Sequence, residues 1–290
     1  MNEHATYCAV SRIKPQYIRC GSRRPSRGDI VYSAGVVTHT GVANEPAMDV
    51  ADRLIVPLDV PEIDRARALV DKLEGVVSIF KLGAWLQLVP GFERLIDDLI
   101  EAEKKVFIDT KGSDIPETMK AGVAGAARRG ISFLTVHGNG EVTPDAMKAA
   151  VEASGPNLKI FSVTVLTSLD EDDLEQMGQT VTVQDLALRR ASIALKCGCD
   201  GVITSGREAR AIRLMAGSRP FLIVTAGIRP AGTDHNDHKR AVTPTEAIAA
   251  GADYLVVGRP IIRSGDATKA ARDILDEMQT AFQKRLALSG

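Results

Sequence analysis

The chain has 290 residues, of which 44% are hydrophobic and 25% are charged, with a formal net charge of -1 and an isoelectric point near 6.5. This is the composition of a globular protein, and the length suits one large α/β barrel or two ordinary domains. The near-neutral charge argues against bulk attraction to nucleic acid or an anionic membrane, so we expect a small-molecule partner.

Hydropathy and cysteine content indicate whether the protein is bound to a membrane and which cellular compartment it occupies. No apolar run approaches the roughly 20 residues that a membrane-spanning helix needs, so we expect a soluble protein that does not bind a membrane. The four cysteines, Cys8, Cys20, Cys197 and Cys199, are too few and too poorly spaced for a zinc site. We interpret them as reduced thiols of a cytoplasmic protein and predict no metal site.

Residues 1–47 differ in composition from the rest of the chain. They combine Arg, Lys, Ser and Gly without hydrophobic periodicity, which predicts a weakly ordered N-terminal extension. An Arg- and Ser-rich, acid-poor start is typical of an organellar transit peptide, but a convincing amphipathic helix is lacking. We favour a dispensable extension, with Met48 as a candidate functional start, followed by a single domain over residues 48–290.

From Asp52 onward, short apolar runs alternate with amphipathic stretches, which is the pattern of parallel strands joined by covering helices. The predicted strands are residues 54–58, 78–82, 106–108, 133–136, 160–165, 201–203, 221–225 and 254–257. The predicted helices are residues 63–73, 93–102, 117–129, 144–153, 186–196, 208–215, 244–250 and 268–286. Eight such units predict a closed (β/α)8 barrel. A doubly wound open sheet is the alternative, but no glycine-rich dinucleotide motif follows the first strand.

Polar residues follow the predicted strands at the end where a (β/α)8 barrel carries its active site. A polar residue at one strand end is common, whereas a set around the whole rim predicts a functional site. The candidates are Asp59, Lys81, Asp109, Lys111, His137, Thr167, Ser168, Gly258 and Arg259.

The segment 106–118 is the most informative part of the chain. Alternation along a strand puts Asp109 and Lys111 on one face, with Asp114 just beyond. Ionised side chains are rarely buried unless they are paired, since desolvation of a single charge is costly. A structural salt-bridge network is the weaker interpretation, because buried ion pairs often add little net stability. Alternating charges suit a reaction in which charge moves in the transition state.

At these residues the chain resembles the orotidine 5'-monophosphate decarboxylase family. The resemblance extends from Leu54 to about Ile262. It implies a TIM barrel that converts orotidine 5'-monophosphate to UMP and CO2 in de novo pyrimidine biosynthesis, without a metal or organic cofactor. The motifs that carry it are Asp109-x-Lys111-x-x-Asp114-Ile-Pro-x-Thr118, Phe80-Lys81-Leu82-Gly83, Thr135-Val-His137, Val163-Thr-Val-Leu-Thr-Ser168, Gly227-Ile-Arg229 and Val257-Gly-Arg-Pro260.

The resemblance also implies roles for the charged residues. It implies a network of Lys81, Asp109, Lys111 and Asp114, in which Asp109 lies beside the substrate's C6 carboxylate. Lys111 delivers a proton to C6 after CO2 leaves, and Asp114 reaches into the site of the neighbouring subunit of a homodimer. Residue chemistry agrees, because a cofactor-free decarboxylation leaves a carbanion that needs a nearby cation.

Further residues acquire substrate-binding roles through the resemblance. The segment 229–242 is the candidate lid over the phosphate, since long loops on compact barrels are usually functional. His238 stands where the family usually has a glutamine, and a solvated loop histidine is the alternative for it; His137 is interpreted as structural. The implied contacts are Asp59 and the partner's Thr118 with ribose, Thr167 and Ser168 with the pyrimidine, Gly258 and Arg259 with phosphate, and Arg229 and His238 within the lid.

Two other functions remain open at this level. A magnesium-dependent sugar-phosphate decarboxylase or synthase of the same superfamily shares the Asp-x-Lys strand, but the Lys81 ammonium would repel Mg2+ where those enzymes carry an acidic ligand. A non-catalytic nucleotide-binding barrel would keep the phosphate contacts but needs no buried charge alternation. The residues of the charged segment favour the decarboxylase over both.

Overall fold

The computed structural model describes residues 49–138, 142–232 and 239–289. The predicted N-terminal extension of residues 1–47 and the candidate start at Met48 lie outside these residues, as does His238 in the candidate lid. The predictions made for them therefore stay predictions.

Eight parallel strands close into a barrel in sequence order, and the last strand pairs with the first. The (β/α)8 prediction is thus confirmed, and the open-sheet alternative is wrong. The strands are β1 (Leu54–Pro57), β2 (Ile79–Gly83), β3 (Lys105–Gly112), β4 (Phe133–His137), β5 (Lys159–Val163), β6 (Gly201–Ser205), β7 (Leu222–Ala226) and β8 (Tyr254–Val256).

Helices follow the strands as the apolar periodicity predicts. All eight predicted helices are present to within a few residues, and the structure adds the short α5 and α9. None of the described helices is both long and apolar enough to cross a bilayer. The helices are α1 (Ile63–Lys72), α2 (Phe92–Glu101), α3 (Pro116–Arg128), α4 (Pro144–Ser154), α5 (Glu171–Gln176), α6 (Val183–Cys197), α7 (Gly206–Ala216), α8 (Pro244–Ala249), α9 (Arg259–Ile262) and α10 (Ala267–Ser289), with 3-10 turns at Val50–Arg53 and Ala84–Leu88.

Capping residues set where several helices begin. Thr243 accepts a hydrogen bond from the Glu246 N–H while the Glu246 carboxylate accepts one from the Thr243 N–H, and Pro244 occupies the first turn. Thr143 caps α4 in the same manner without the reciprocal bond. Each such cap stabilises a helix by about 1 kcal/mol, because it satisfies an N–H that has no partner within the helix.

Strand β3 is longer than the apolar pattern predicts. The prediction ended it at Ile108, whereas the strand continues to Gly112. The pairing of β3 with β4 shifts register between Ile108 and Gly112, and Lys111 has a positive φ of 50°. This irregularity bends the end of the strand without ending it, so Asp109 and Lys111 lie within a strand and not in a loop.

Aromatic rings fill the inside of the barrel beneath this strand end. The Phe133 ring centroid lies 5.8 Å from that of Phe107, 5.7 Å from that of Phe161 and 6.0 Å from that of Tyr254. Phe107 precedes Asp109 by two residues on β3, so alternation puts the cluster one layer below the charged residues. The rings form a closely packed layer of the barrel interior.

We predict that Phe133→Ala lowers the free energy of unfolding by about 3–5 kcal/mol, because it removes a ring that contacts three others and leaves a cavity. Phe133→Leu keeps most of the volume and should lose less than half as much. Urea unfolding followed by circular dichroism measures both variants. Equal losses for the two variants would contradict the conclusion that the packed volume of the Phe133 side chain stabilises this layer.

Candidate active site

A pocket of about 450 Å³ opens at the carboxyl ends of the strands. Every strand except β4 contributes to its lining directly or through the loop that follows it. The predicted site residues that line it are Asp59, Lys81, Asp109, Lys111, Thr167, Arg229, Gly258 and Arg259. The structure therefore brings together most of the residues that the sequence selected.

A single carboxylate joins two lysines on the β2–β3 side of the pocket. The Asp109 Oδ2 atom lies 3.0 Å from Lys81 Nζ and 3.1 Å from Lys111 Nζ. Lys81 also lies 3.8 Å from the Asp59 carboxylate. The Lys81 and Asp109 side chains are 12% and 13% exposed, whereas the Lys111 side chain is 35% exposed. Lys111 is thus the ammonium in this group that solvent reaches best.

Opposing effects act on the pKa values of the two buried groups. Burial raises the pKa of Asp109, but the charges of Lys81 and Lys111 and its hydrogen bonds outweigh burial and hold the pKa below 3.8. Burial lowers the pKa of Lys81, but attraction to Asp109 and Asp59 outweighs it and holds the pKa above 10.5. Both groups are therefore ionised at neutral pH.

Thr135 is a site residue that the sequence analysis quoted in a motif but gave no role. Its hydroxyl accepts a hydrogen bond from the Lys111 N–H at 2.9 Å and donates one to Asp109 Oδ1 at 2.9 Å. The side chain is fully buried. One hydroxyl thus fixes the strained backbone of Lys111 and the orientation of its carboxylate partner. The sequence feature that could have indicated this role is its position on β4, two residues after the inward-facing Phe133.

Asp114 and Thr118 lie apart from this group within one chain. Both line a second pocket, of about 580 Å³, which is bordered by α2, α3, β3 and β4. The Asp114 carboxylate accepts a hydrogen bond from the Ile115 N–H at 2.7 Å, and among the described residues Lys111 forms its ion pair with Asp109. The expected Asp109–Lys111–Asp114 alternation is thus incomplete in one chain, because the backbone turns away after Gly112.

Arginines line the other side of the pocket. Arg229 follows β7, Arg259 begins α9 after β8, and Arg263 follows α9. Arg263 was not among the residues predicted from the sequence; it lies one helical turn beyond Arg259 and so shares its side of α9. Loops after strands seven and eight of such barrels frequently bind phosphate, and guanidinium groups suit that ligand.

The remaining predicted residues have less direct positions. Ser168 is half-buried beside Thr167 but does not line the pocket, and His137 ends β4. The described ends of the candidate lid are held together, since the Arg229 N–H donates to the Val242 carbonyl at 2.9 Å. Among the described residues, no three His, Cys, Asp or Glu side chains are arranged to hold a metal ion.

Comparison with known proteins assigns the chain to a family. The model of the orotidine 5'-phosphate decarboxylase / HUMPS family matches residues 52–274. The chain belongs to this family. Over 231 residues, 79% of this chain and 96% of the relative, it is 49% identical to an orotidine 5'-phosphate decarboxylase of Afipia carboxidovorans. It is 46% identical to a protein of the same name from Rhodopseudomonas palustris over the same coverage.

A solved structure agrees with the sequence relatives. The crystal structure of orotidine 5'-phosphate decarboxylase from Lactobacillus acidophilus superposes with a TM-score of 0.68 at 33% identity. The superposition covers 78% of this chain and 99% of that one. The resemblance inferred from the motifs is therefore confirmed at the level of family and fold.

We predict that Thr135→Val lowers the free energy of unfolding at neutral pH by about 1–3 kcal/mol, because it leaves the half-buried Lys111 N–H without its partner. Ionised Asp109 stabilises the fold above pH 3.8, and this contribution is lost as the pH falls through its lower folded-state pKa. Loss of the Thr135 hydrogen bond raises the folded-state pKa of Asp109, so the difference between its unfolded-state and folded-state pKa values becomes smaller. The stabilisation from ionised Asp109 falls with it. Urea unfolding at neutral and acid pH measures both effects.

Thr135→Ser is the matched control, since it keeps the hydroxyl and removes only a methyl group. It should retain most of the neutral-pH stability that Thr135→Val loses. If the serine variant is as unstable as the valine variant, packing of the methyl group and not the hydrogen bonds explains the role of Thr135.

Proposed function

We propose that this protein is an orotidine 5'-phosphate decarboxylase that converts orotidine 5'-monophosphate to UMP and CO2 in pyrimidine biosynthesis. The observation that carries the proposal is the 3.1 Å contact of the Lys111 ammonium with the buried Asp109 carboxylate in the pocket. Loss of CO2 from a ring carbon leaves an electron pair there, and an ammonium beside it stabilises the transition state more than the ground state. The named relatives support this substrate.

The proposed reaction needs only side chains of the pocket. The bond from C6 to the carboxylate breaks, CO2 departs and the electron pair stays on C6. A proton then moves from Lys111 Nζ to C6, which leaves a neutral amine. Because the Lys111 side chain is 35% exposed, water can return a proton to it after each turnover. Lys81, which is more deeply buried, keeps Asp109 ionised and in position.

The binding groups are assigned to the two sides of the pocket. Arg259 and the Gly258 backbone, with Arg229, are assigned to the 5'-phosphate, because guanidinium groups and backbone N–H groups suit an oxyanion. Thr167 is assigned to the pyrimidine and Asp59 to the ribose. All five line the same cavity. Ser168 remains assigned to the pyrimidine side, and His238 to the lid.

A magnesium-dependent reaction on a sugar phosphate is the nearest alternative. Among the described residues, the carboxylate that pairs with Lys111 already faces two ammonium groups, and a third cation there would be repelled. Activity that requires Mg2+ and ignores orotidine 5'-phosphate would favour this alternative. Binding of UMP without any release of CO2 would favour a nucleotide-binding barrel.

We predict that Lys111→Ala lowers decarboxylation of orotidine 5'-phosphate by about 10²- to 10⁴-fold or more, because it removes both the cation and the proton donor. The assay follows ultraviolet absorbance in the presence of a metal chelator. Lys105→Ala is the matched control on the same strand, where Lys105 pairs with Asp52 at 3.1 Å at the opposite end of the barrel. That variant should keep its activity.

The Lys111→Ala variant must remain folded for the comparison to count. Far-ultraviolet circular dichroism and binding of UMP check this. Retained turnover in folded Lys111→Ala would refute the proton-donor role, whereas absence of turnover in the unmodified protein would refute the proposed function itself.

We also propose that the protein is a homodimer with active sites shared between subunits. Asp114 and Thr118 line a pocket separate from Lys111 in one chain. The partner's Asp114 would therefore complete the alternation of acidic and basic groups around Lys111. Large apolar side chains are exposed on segments that follow β2 and β3: Trp85 is 84%, Leu88 76% and Ile115 66% exposed. Exposed apolar side chains of this size are typical of an interface.

We predict that two inactive variants restore activity when their chains are mixed. In a dimer of Lys111→Ala with Asp114→Ala, one of the two sites keeps both wild-type residues if Asp114 acts across the interface. Random pairing then restores about a quarter of wild-type activity, since half of the dimers are mixed and carry one intact site each. Co-expression followed by the absorbance assay measures this.

The control mixes Lys111→Ala with the double variant Lys111→Ala/Asp114→Ala, which cannot form an intact site in any pairing. No activity should return there. If the first mixture also stays inactive although the chains exchange, Asp114 does not act across the interface. Sedimentation analysis reports the assembly independently.

We place the protein in the cytoplasm, where such thiols stay reduced. Cys197 and Cys199 are free and buried, and burial raises the pKa of the Cys199 thiol to about 12. Such thiols are unreactive, because the thiolate is the reactive form.

A further inference from the structure

A buried ion pair lies behind the pocket and has no part in the chemistry described above. Arg240 and Glu208 side chains are each 5% exposed, and Arg240 Nη1 lies 2.7 Å from Glu208 Oε1. Ser205, at the end of β6, donates from its hydroxyl to the Arg240 carbonyl at 3.0 Å. Burial of such a pair costs desolvation energy that its own attraction barely offsets. Stability alone is therefore a weak reason for it.

The other nitrogens of Arg240 hold the turn that follows β5. Nε donates to the Leu169 carbonyl at 3.0 Å. Nη2 donates to the carbonyls of Val165 and Leu166 at 3.2 and 2.8 Å. Thr167 lies between these carbonyls in the chain and lines the pocket with Val165 and Leu166. Arg240 thus contacts the pocket wall from behind, through three backbone carbonyl groups of the turn.

The residue before Arg240 contacts the same region. Lys239 Nζ lies 2.8 Å from both the Asp170 and Asp173 carboxylates, at the start of α5. Its hydrogen bond to the Asp170 carboxylate, together with the one from the Asp173 N–H, lowers the pKa of Asp170 to about 2. These two ion pairs are partly exposed and add little stability alone. Together, Lys239 and Arg240 attach residues 239–242, the described end of the loop after β7, to the turn and helix after β5.

We propose that Arg240 is a positioning residue that couples the loop after β7 to the turn after β5. The inference rests on the proposed function, since it assigns Arg229 to phosphate and Thr167 to the pyrimidine. Arg240 itself does not line the pocket. The planar guanidinium group of Arg240, its fork of N–H donors, fixes the distance between the loop after β7 and the turn after β5. A substrate that contacts both therefore binds in one geometry. The Glu208 carboxylate balances the buried charge of that fork.

The test replaces Arg240 with glutamine and measures kcat and KM for orotidine 5'-phosphate, together with the affinity for UMP. Arg240→Gln should lower kcat/KM about ten- to hundredfold and weaken UMP binding, because a small misplacement of positioning groups is costly. The matched control is Arg213→Gln. Arg213 likewise donates to the Phe221 and Gly251 carbonyls and pairs with Asp253, but at the opposite end of the barrel.

Both variants should lose stability, but only Arg240→Gln should change the kinetics and UMP affinity of the folded protein. A double-mutant cycle with Thr167→Ala separates the roles further. If Arg240 acts through the turn, its effect shrinks in the Thr167→Ala background; additive effects overturn the proposal. Glu208→Gln, which keeps the contacts to the carbonyls, serves in the same cycle if Arg240→Gln does not fold.

The outcomes distinguish this inference from the proposed function. An unmodified protein without decarboxylation refutes the function, and UMP affinity still reports whether Arg240 positions the wall. An active unmodified protein whose Arg240→Gln variant matches it in kcat, KM and UMP affinity refutes the positioning role alone.

Discussion

The shared carboxylate oxygen of Asp109 is the interaction on which the rest of the site depends. It lies within 3.1 Å of both Lys81 Nζ and Lys111 Nζ in a group that is mostly closed to water. Either ammonium alone would be expensive to bury, and so would the carboxylate. The pairing of β2 with β3, which sets Gly83 opposite Asp109, brings the three groups together. The closed barrel supplies both that neighbouring strand and a covered interior.

Contacts beneath and beside this group restrict its motion on the sides that face away from the pocket. Aromatic rings pack beneath it, and the Thr135 hydroxyl holds both the Asp109 carboxylate and the Lys111 backbone. The positive φ of Lys111 is a strained conformation for a residue with a side chain. Such strain persists only where neighbouring contacts determine the backbone. Preorganised charge of this kind stabilises a transition state without further rearrangement.

The sequence predicts the strands and long helices because apolar periodicity records burial directly. It fails where polar residues occupy regular structure, as in the second half of β3, and where helices are too short to show a period, as in α5 and α9. Polar strand ends identify most of the charged residues of the pocket. Thr135 and Arg240 escape that reasoning, because their roles arise from contacts with other strands and loops that no local pattern encodes.

The two sides of the pocket impose different demands on the chain. The β2–β3 side concentrates charge that must be fixed before substrate arrives, whereas the loops after β7 and β8 carry the guanidinium groups that attract an anion. A ligand with an anionic end and a reacting ring has to meet both at a set separation. The barrel strands fix the first side through their register. The second side is built from loops, so tertiary contacts have to hold it in place. Arg240 supplies such contacts, because it pairs with Glu208 and donates to a carbonyl of the turn after β5.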